Sequence, residues 1–187
     1  FAAGGYPSPT TTMDYVTFSS GGGANDFGEY AISLFQPVGA SNNVRGIFAG
    51  GVKTSPSPTL GYNAIEFITI ASTGDSSEFG NLSSTRWGAA GVNSPTRGVF
   101  AGGATPTLLK SIEFVTIATL GDSQDFGEVS TAVRNLIPAC SSTRGVFAGG
   151  SVSPTFLNTI EFITIATLGN ASDFGDLATI RGRGAGV

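Results

Sequence analysis

One phrase returns along this chain at intervals of about fifty residues, and nothing else in the sequence restricts the fold as much. Arg45-Gly46-Ile47-Phe48-Ala49-Gly50-Gly51 recurs as Arg97 to Gly103 and as Arg144 to Gly150, and a degraded copy, Phe1-Ala2-Ala3-Gly4-Gly5, opens the sequence. Other motifs keep step with it. Met13-Asp14-Tyr15-Val16-Thr17 corresponds to Ile65 to Thr69, Ile112 to Thr116 and Ile160 to Thr164, so an acid holds the same place throughout: Asp14, Glu66, Glu113 and Glu161. Asp26-Phe27-Gly28 corresponds to Glu78-Phe79-Gly80, Asp125-Phe126-Gly127 and Asp173-Phe174-Gly175. Arg86 to Val92 is echoed by Arg181 to Val187 and loosely by Arg134 to Cys140. A unit this small cannot bury its apolar residues alone and must stack on its neighbours. The chain therefore reads as a single repeat domain over residues 1–187, in units of approximately 1–44, 45–96, 97–143 and 144–187.

Each unit predicts a short strand, a Gly-Gly turn, a polar loop, an apolar strand, a turn, a short strand carrying Phe-Gly, a loop and a last short strand. Four strands in a unit of this length is the pattern of a propeller blade. The apolar strand, as in Ile112, Phe114, Val115 and Ile117, is hydrophobic on both faces, which is expected when neighbouring sheets cover both sides. The 28 glycines, with abundant Phe, Ile, Val and Thr, suit strands joined by tight turns.

The succession of an arginine, a small-residue strand, a hydrophobic strand closing on Gly-Gly, a variable loop and an Ile-Glu-Phe strand resembles the kelch repeat over essentially the whole chain. Phe stands where a kelch blade commonly carries Tyr and Trp. The resemblance implies an all-β fold, a β-propeller of four kelch-like four-stranded blades or a four-blade part of a larger propeller. The alternation of Arg-Gly-Val-Phe-Ala-Gly-Gly with Ile-Glu-Phe-Ile-Thr-Ile-Ala-Thr and Asp-Phe-Gly is also similar to repeat proteins of marine tailed bacteriophages. That similarity implies a virion or extracellular protein, tail or fibre associated, whose partners are other virion proteins or a host-surface glycan or protein, with a second copy of itself as a further partner.

Composition narrows the chemistry. With a net charge of −4 and Lys53 and Lys110 as the only lysines, the chain lacks the clustered cations that phosphate neutralisation needs, so nucleic acid is not an expected partner. No apolar run approaches bilayer length, so membrane insertion is not expected. The absence of histidine removes the commonest metal ligand and general base, and neither a cofactor nor a metal nor a catalytic residue is assigned. The lone Cys140 cannot form an internal disulfide and is expected as a small buried hydrophobe. Asp-Phe-Gly lacks every companion motif of a kinase and reads as a repeat element. Carboxylates spaced by three, Asp26 with Glu29, Asp122 with Asp125 and Glu128, and Asp173 with Asp176, supply too few oxygens for calcium and read as turn acids. The sequons at Asn81 and Asn170 carry meaning only in a protein secreted by a eukaryote.

The four equivalent acids predict a structural role, partly buried and paired within each unit to an arginine or to turn amides, since a buried charge without partners is costly. The stretch between Gly-Gly and this acid varies most in length, longest from Gly51 to Glu66 and shortest from Gly5 to Asp14, and is rich in Pro, Ser and Thr. Such loops emerge together on one face of a repeat array and are the expected binding surface, with Lys53, Tyr62, Asn63, Thr107, Phe156 and Asn158 as candidate contacts. The function that follows is a non-enzymatic structural or binding module. The alternative is a propeller that binds glycan or degrades polysaccharide, which would need two converging carboxylates in one unit only. Ring closure, with 181–187 pairing beside 1–5, is expected from the complementary ends of the repeat.

Overall fold

The computed structural model of the chain describes residues 2–3, 10–53 and 60–186. It is all-β. A three-stranded antiparallel sheet of Ala2–Ala3, Thr10–Tyr15 and Asn25–Leu34 comes first. Three four-stranded antiparallel sheets follow, each with its strands in chain order. The second sheet contains Val38–Ser41, Arg45–Ala49, Ala64–Thr69 and Ser77–Asn81. The third contains Ala90–Asn93, Arg97–Ala101, Ser111–Thr116 and Gln124–Glu128. The fourth contains Ile137–Cys140, Arg144–Ala148, Thr159–Thr164 and Ser172–Asp176. Unit edges drawn at the recurring arginines thus fall between the first and second strands of a sheet. The first sheet corresponds to second, third and fourth strands, and no first strand accompanies it among the described residues.

Local chemistry explains each corner. The first turn of a sheet is held by one polar side chain: Asn42 Oδ1 accepts the amides of Val44 and Arg45 at 2.9 and 2.8 Å, and Ser94 Oγ and Ser141 Oγ accept those of Arg97 and Arg144, each at 3.1 Å. The Gly-Gly pair after the second strand takes φ of 63° and 104° at Gly50 and Gly51, and matching values recur at Gly102, Gly103, Gly149 and Gly150. A side chain there would be strained, and a Cβ on Gly50 would overlap the carbonyl of Arg86.

A register shift recurs where the third strand meets the fourth, between Ile65 and Glu66, Ile112 and Glu113, and Ile160 and Glu161, with the same shift at Met13 and Asp14. It leaves the phenylalanine of the Asp-Phe-Gly motif as the extra residue of a β-bulge. The bulged ring then packs edge-on against the aromatic of the third strand, at 6.0 Å for Phe67 with Phe79 and Phe114 with Phe126, and 5.9 Å for Phe162 with Phe174 and Tyr15 with Phe27. An arginine from the second strand lies on the other aromatic face: Arg45 over Phe67, Arg97 over Phe114, Arg144 over Phe162.

The sheets stack in series and the apolar core lies between them, in three layers. Met13, Phe27, Tyr30 and Leu34 meet Phe48 and Ile68 between the first and second sheets. Ile47, Ile65 and Phe79 meet Phe100, Val115 and Ile117 between the second and third, and Val99, Ile112, Phe114 and Phe126 meet Phe147, Ile163 and Ile165 between the third and fourth. Ile112 and Phe114 thus face one layer while Val115 and Ile117 face the other, the two-sided burial that the apolar strand predicts.

Backbone bonds repeat across each layer. The amides of Gly74, Gly121 and Gly169 donate to the carbonyls of Phe27, Phe79 and Phe126 at 2.7, 2.8 and 2.8 Å. Gly28, Gly80 and Gly127 are bare because a Cβ at each would overlap the carbonyl of that same incoming glycine. First strands approach one another just as closely: a Cβ on Gly91 would overlap the Gly39 carbonyl, and one on Gly186 the Pro138 carbonyl. Residues 184–186 therefore run beside Ile137–Cys140 where a following sheet would have its first strand. Among the described residues they pair with no part of Ala2–Ala3. The rest of the pairing expected for ring closure involves Phe1, Gly4, Gly5 and Val187, which lie outside the described residues.

Candidate functional site

Two surfaces could carry function, at opposite ends of the strands. At one end the loops after Gly-Gly fold into short ribbons: Val52–Lys53 with Leu60–Gly61, Ala104–Thr105 with Thr107–Leu108, and the bridge of Ser151 to Phe156. Each follows the second strand of its sheet; residues 54–59 and 6–9, also within the variable loops, lie outside the described residues. Thr107 and Phe156 are exposed and Lys53 is half-buried. Tyr62 and Asn63 are fastened instead. The Tyr62 amide donates to Gly51 and its carbonyl accepts from Arg86, while Asn63 exchanges bonds with Leu82 through its carbonyl and its Nδ2. Asn158 accepts the Leu177 amide at 2.6 Å. Beside the ribbons Arg134 stacks on the Trp87 ring at 4.5 Å.

At the other end the first turns of three sheets converge on an open pocket of about 420 Å³, lined among others by Asn42, Asn93, Ser94, Cys140 and Ser141. Asn42 Nδ2 reaches across to the Pro95 carbonyl at 3.0 Å and ties two of the turns together. Cys140 is exposed here, not buried: it ends its strand at the pocket rim, beyond the reach of the sheet-to-sheet core. The residue-level reading passed over this pocket because its lining arrives as dissimilar triplets, Asn42-Asn43-Val44, Ser94-Pro95-Thr96 and Ser141-Ser142-Thr143. The legible signal was position, since each triplet directly precedes a recurring arginine.

The repeated acids are structural anchors. Glu66, Glu113 and Glu161 are buried and Asp14 is half-buried. Their partners lie largely on the preceding sheet and its trailing segment. Glu66 accepts the Ala31 amide at 3.1 Å and the Ser76 hydroxyl, Glu113 the Ser83 amide and hydroxyl at 2.9 and 2.6 Å and the Ser123 hydroxyl, and Glu161 the Ser130 amide at 2.9 Å. The acid points backward because alternation along the third strand sets it on the same face as Val115 and Ile117. Among the described residues only Glu113 gains an arginine: Arg86, wholly buried, forms an ion pair with it and donates to Gly102 O and to Ser111 O and Oγ.

Titration follows this packing. Burial pushes the Glu113 carboxyl up, but the Arg86 charge and the bonds from Ser123 and Ser83 outweigh it and hold the group below the usual carboxylate range. Burial lowers the Arg86 guanidinium against the opposing pull of Glu113. The Tyr30 hydroxyl is raised, first by burial and then by the Glu66 charge.

The Asp and Asn side chains of the turns behave likewise. Asp75, Asp122 and Asn170 each use Oδ1 to accept an amide of the preceding sheet, from Glu29, Asn81 and Glu128 at 3.0, 2.8 and 3.0 Å. Among the described residues no three carboxylates, histidines or cysteines gather as a metal site. No protein-family model matches this chain, and no curated protein matches it.

Proposed function

We propose that the chain is a non-enzymatic binding or structural module, its sheets the blades of a kelch-like propeller, presented on a bacteriophage particle as a tail- or fibre-associated protein that contacts another virion protein or a host surface. The observation that carries the module reading is the use made of the polar groups: the buried acids Glu66, Glu113 and Glu161 are occupied in joining one sheet to the next, while a ribbon of changeable sequence follows the second strand of successive sheets. Rigid sheets that present variable segments side by side suit recognition. The virion assignment rests on the resemblance of the repeat wording.

The turn pocket favours a second reading, glycan binding, because its hydroxyl and amide groups converge around a space of sugar size. Fluorescently labelled protein applied to whole bacterial cells and to a glycan array tests both. Exchanging the ribbon at Ala104–Leu108 for a two-residue turn should abolish binding if the ribbons recognise the partner. Loss on Asn42→Ala with the ribbon exchange silent would transfer recognition to the pocket. Release of reducing ends from a bound polysaccharide would overturn the non-enzymatic assignment.

A further inference from the structure

Of the nine lysines and arginines in this chain, four are occupied within the sheets: Arg45, Arg97 and Arg144 lie on phenylalanine rings, and Arg86 is paired with Glu113. The other five, Lys53, Lys110, Arg134, Arg181 and Arg183, all stand at the Gly-Gly end of the sheets. Lys53 is in a ribbon and Lys110 directly precedes a third strand. Arg134 pairs with Ser151, the Arg181 carbonyl accepts the Gly150 amide, and the Arg183 amide donates to the Asn135 carbonyl. Of the exposed acids, Glu29, Glu128 and Asp176 lie toward this end on the outer strands, and the rest lie at the opposite end, where those strands begin. A molecule of net charge −4 therefore carries an excess of cations beside its ribbons.

Arg134 is the cation whose charge the fold leaves unanswered. Its guanidinium lies over the Trp87 ring at 4.5 Å, and the one ion pair among the described residues is that of Arg86 with Glu113. Arg45 and Arg97, which also lie on rings, each donate from Nη1 to a carbonyl, Ile117 O at 2.9 Å and Ile165 O at 2.8 Å. Arg134 has no such acceptor: Nε is buried without a hydrogen-bond partner, as is Nδ2 of the adjoining Asn135, while Nη1 and Nη2 are not enclosed. Buried donors are nearly always paired, so the protein alone leaves the polar requirement of this corner unmet.

The ribbons gather around the same ring. Trp87 bridges to Ala104, and Arg134 to Ser151. Thr85 Oγ1 and Thr105 Oγ1 meet at 2.6 Å, and Gly61 passes so near that a Cβ there would lie 3.2 Å from Thr85 Cβ and 3.8 Å from Trp87 Cδ1. A guanidinium held flat on a ring is already oriented, and its fork matches a carboxylate through two parallel bonds. Hydroxyls and an indole beside such a fork suit a sugar that bears the carboxylate. Closely spaced phosphates suit it less, because the whole molecule is negative and these cations are spread along the end.

We propose that the ribbon end binds an acidic glycan, with the carboxylate of a uronic or sialic acid on the Nη edge of Arg134 and the hydroxyls of Thr85 and Thr105 beside the sugar. This names the ligand class for the recognition role given above to the ribbons, and rests on that role.

Trp87 is the only tryptophan, so its emission reports on the site. Tetragalacturonate or sialyllactose titrated into the full chain should change the emission saturably, the stronger of the two identifying the acid, and a neutral dextran oligomer should not. Arg134→Met should weaken binding about 10- to 100-fold by calorimetry, and Arg134→Lys should recover little of it, since the charge stays while the fork is lost. Both variants should unfold within about 0.5 M urea of wild type, because only the stacking on Trp87 is removed. Silence with both acidic sugars overturns the inference. So does binding that Arg134→Met leaves intact or that Asn42→Ala in the turn pocket abolishes, and so does tighter binding of a single-stranded oligodeoxynucleotide. Labelled protein on whole bacterial cells separates the two claims. Labelling lost on the ribbon exchange but unchanged in Arg134→Met overturns the inference and leaves the recognition role standing; no labelling by wild type, with both sugars silent, overturns both.

Discussion

Replacing Glu113 by alanine should destabilise the protein far more than replacing its partner Arg86 by leucine. Arg86 is 0 % exposed and Glu113 3 %, so neither charge can turn to water when the other is removed. Without Glu113 the guanidinium keeps only the carbonyls of Gly102 and Ser111 and the Ser111 hydroxyl, an uncompensated buried charge that costs about 3–5 kcal/mol. Without Arg86 the carboxylate keeps the Ser83 amide and hydroxyl and the Ser123 hydroxyl, and leucine fits, since Leu34 and Val133 occupy the corresponding places; the loss is about 1–2 kcal/mol. With a urea dependence of about 2 kcal/mol per molar, the difference shifts the unfolding midpoint by about 0.5–2 M. Equilibrium urea unfolding followed by tryptophan emission reads it directly, because Trp87 adjoins Arg86. Equal midpoints, or a lower one for Arg86→Leu, would refute the reasoning.

The same carboxylate predicts an acid limb. A group held below its unfolded value of about 4.3 contributes stability above that pH and loses it as pH falls through the folded value, so thermal midpoints should drop below about pH 4 and drop less steeply in Glu113→Gln. Gly80→Ala should cost more than Gly175→Ala in the same urea assay: both glycines have positive φ, but only the alanine at 80 collides with the Gly121 carbonyl. Arg97→Met removes both the Ile165 bond and the stacking on Phe114 and should cost about 1–2 kcal/mol, against less than half of that for Arg144→Met, which removes the stacking on Phe162 alone.

The repeat made much of this readable, and where it failed the reasons are local. Apolar residues on both faces of Ile112 to Ile117 announced a sheet covered on both sides, and an acid recurring inside such a strand had to be bonded. Its partners were harder to foresee, because they lie on the preceding sheet or the segment that trails it, at Ala31, Ser83 and Ser130, and bond largely through backbone amides that any residue would supply. The first strands Val38–Ser41, Ala90–Asn93 and Ile137–Cys140 share small size and little else, so the well-kept arginine phrase set the phase of the units. Tyr62 and Asn63 looked like loop contacts because they lie in a variable stretch, but their place beside Gly51 and Leu82 makes them fasteners.

Because each sheet is a continuous stretch of chain with its strands in order, and the bonds between sheets run only to the next one among the described residues, each sheet can be assembled as it is synthesised. The second sheet is complete once Asn81 has left the ribosome, and its acid and turn glycine find their partners on a sheet already finished. The same locality makes the gene elastic: a duplication or excision with both breakpoints in the segments between sheets, such as residues 82–89 and 129–136, inserts or removes one whole sheet and makes a single new junction from surfaces that already match their repeats.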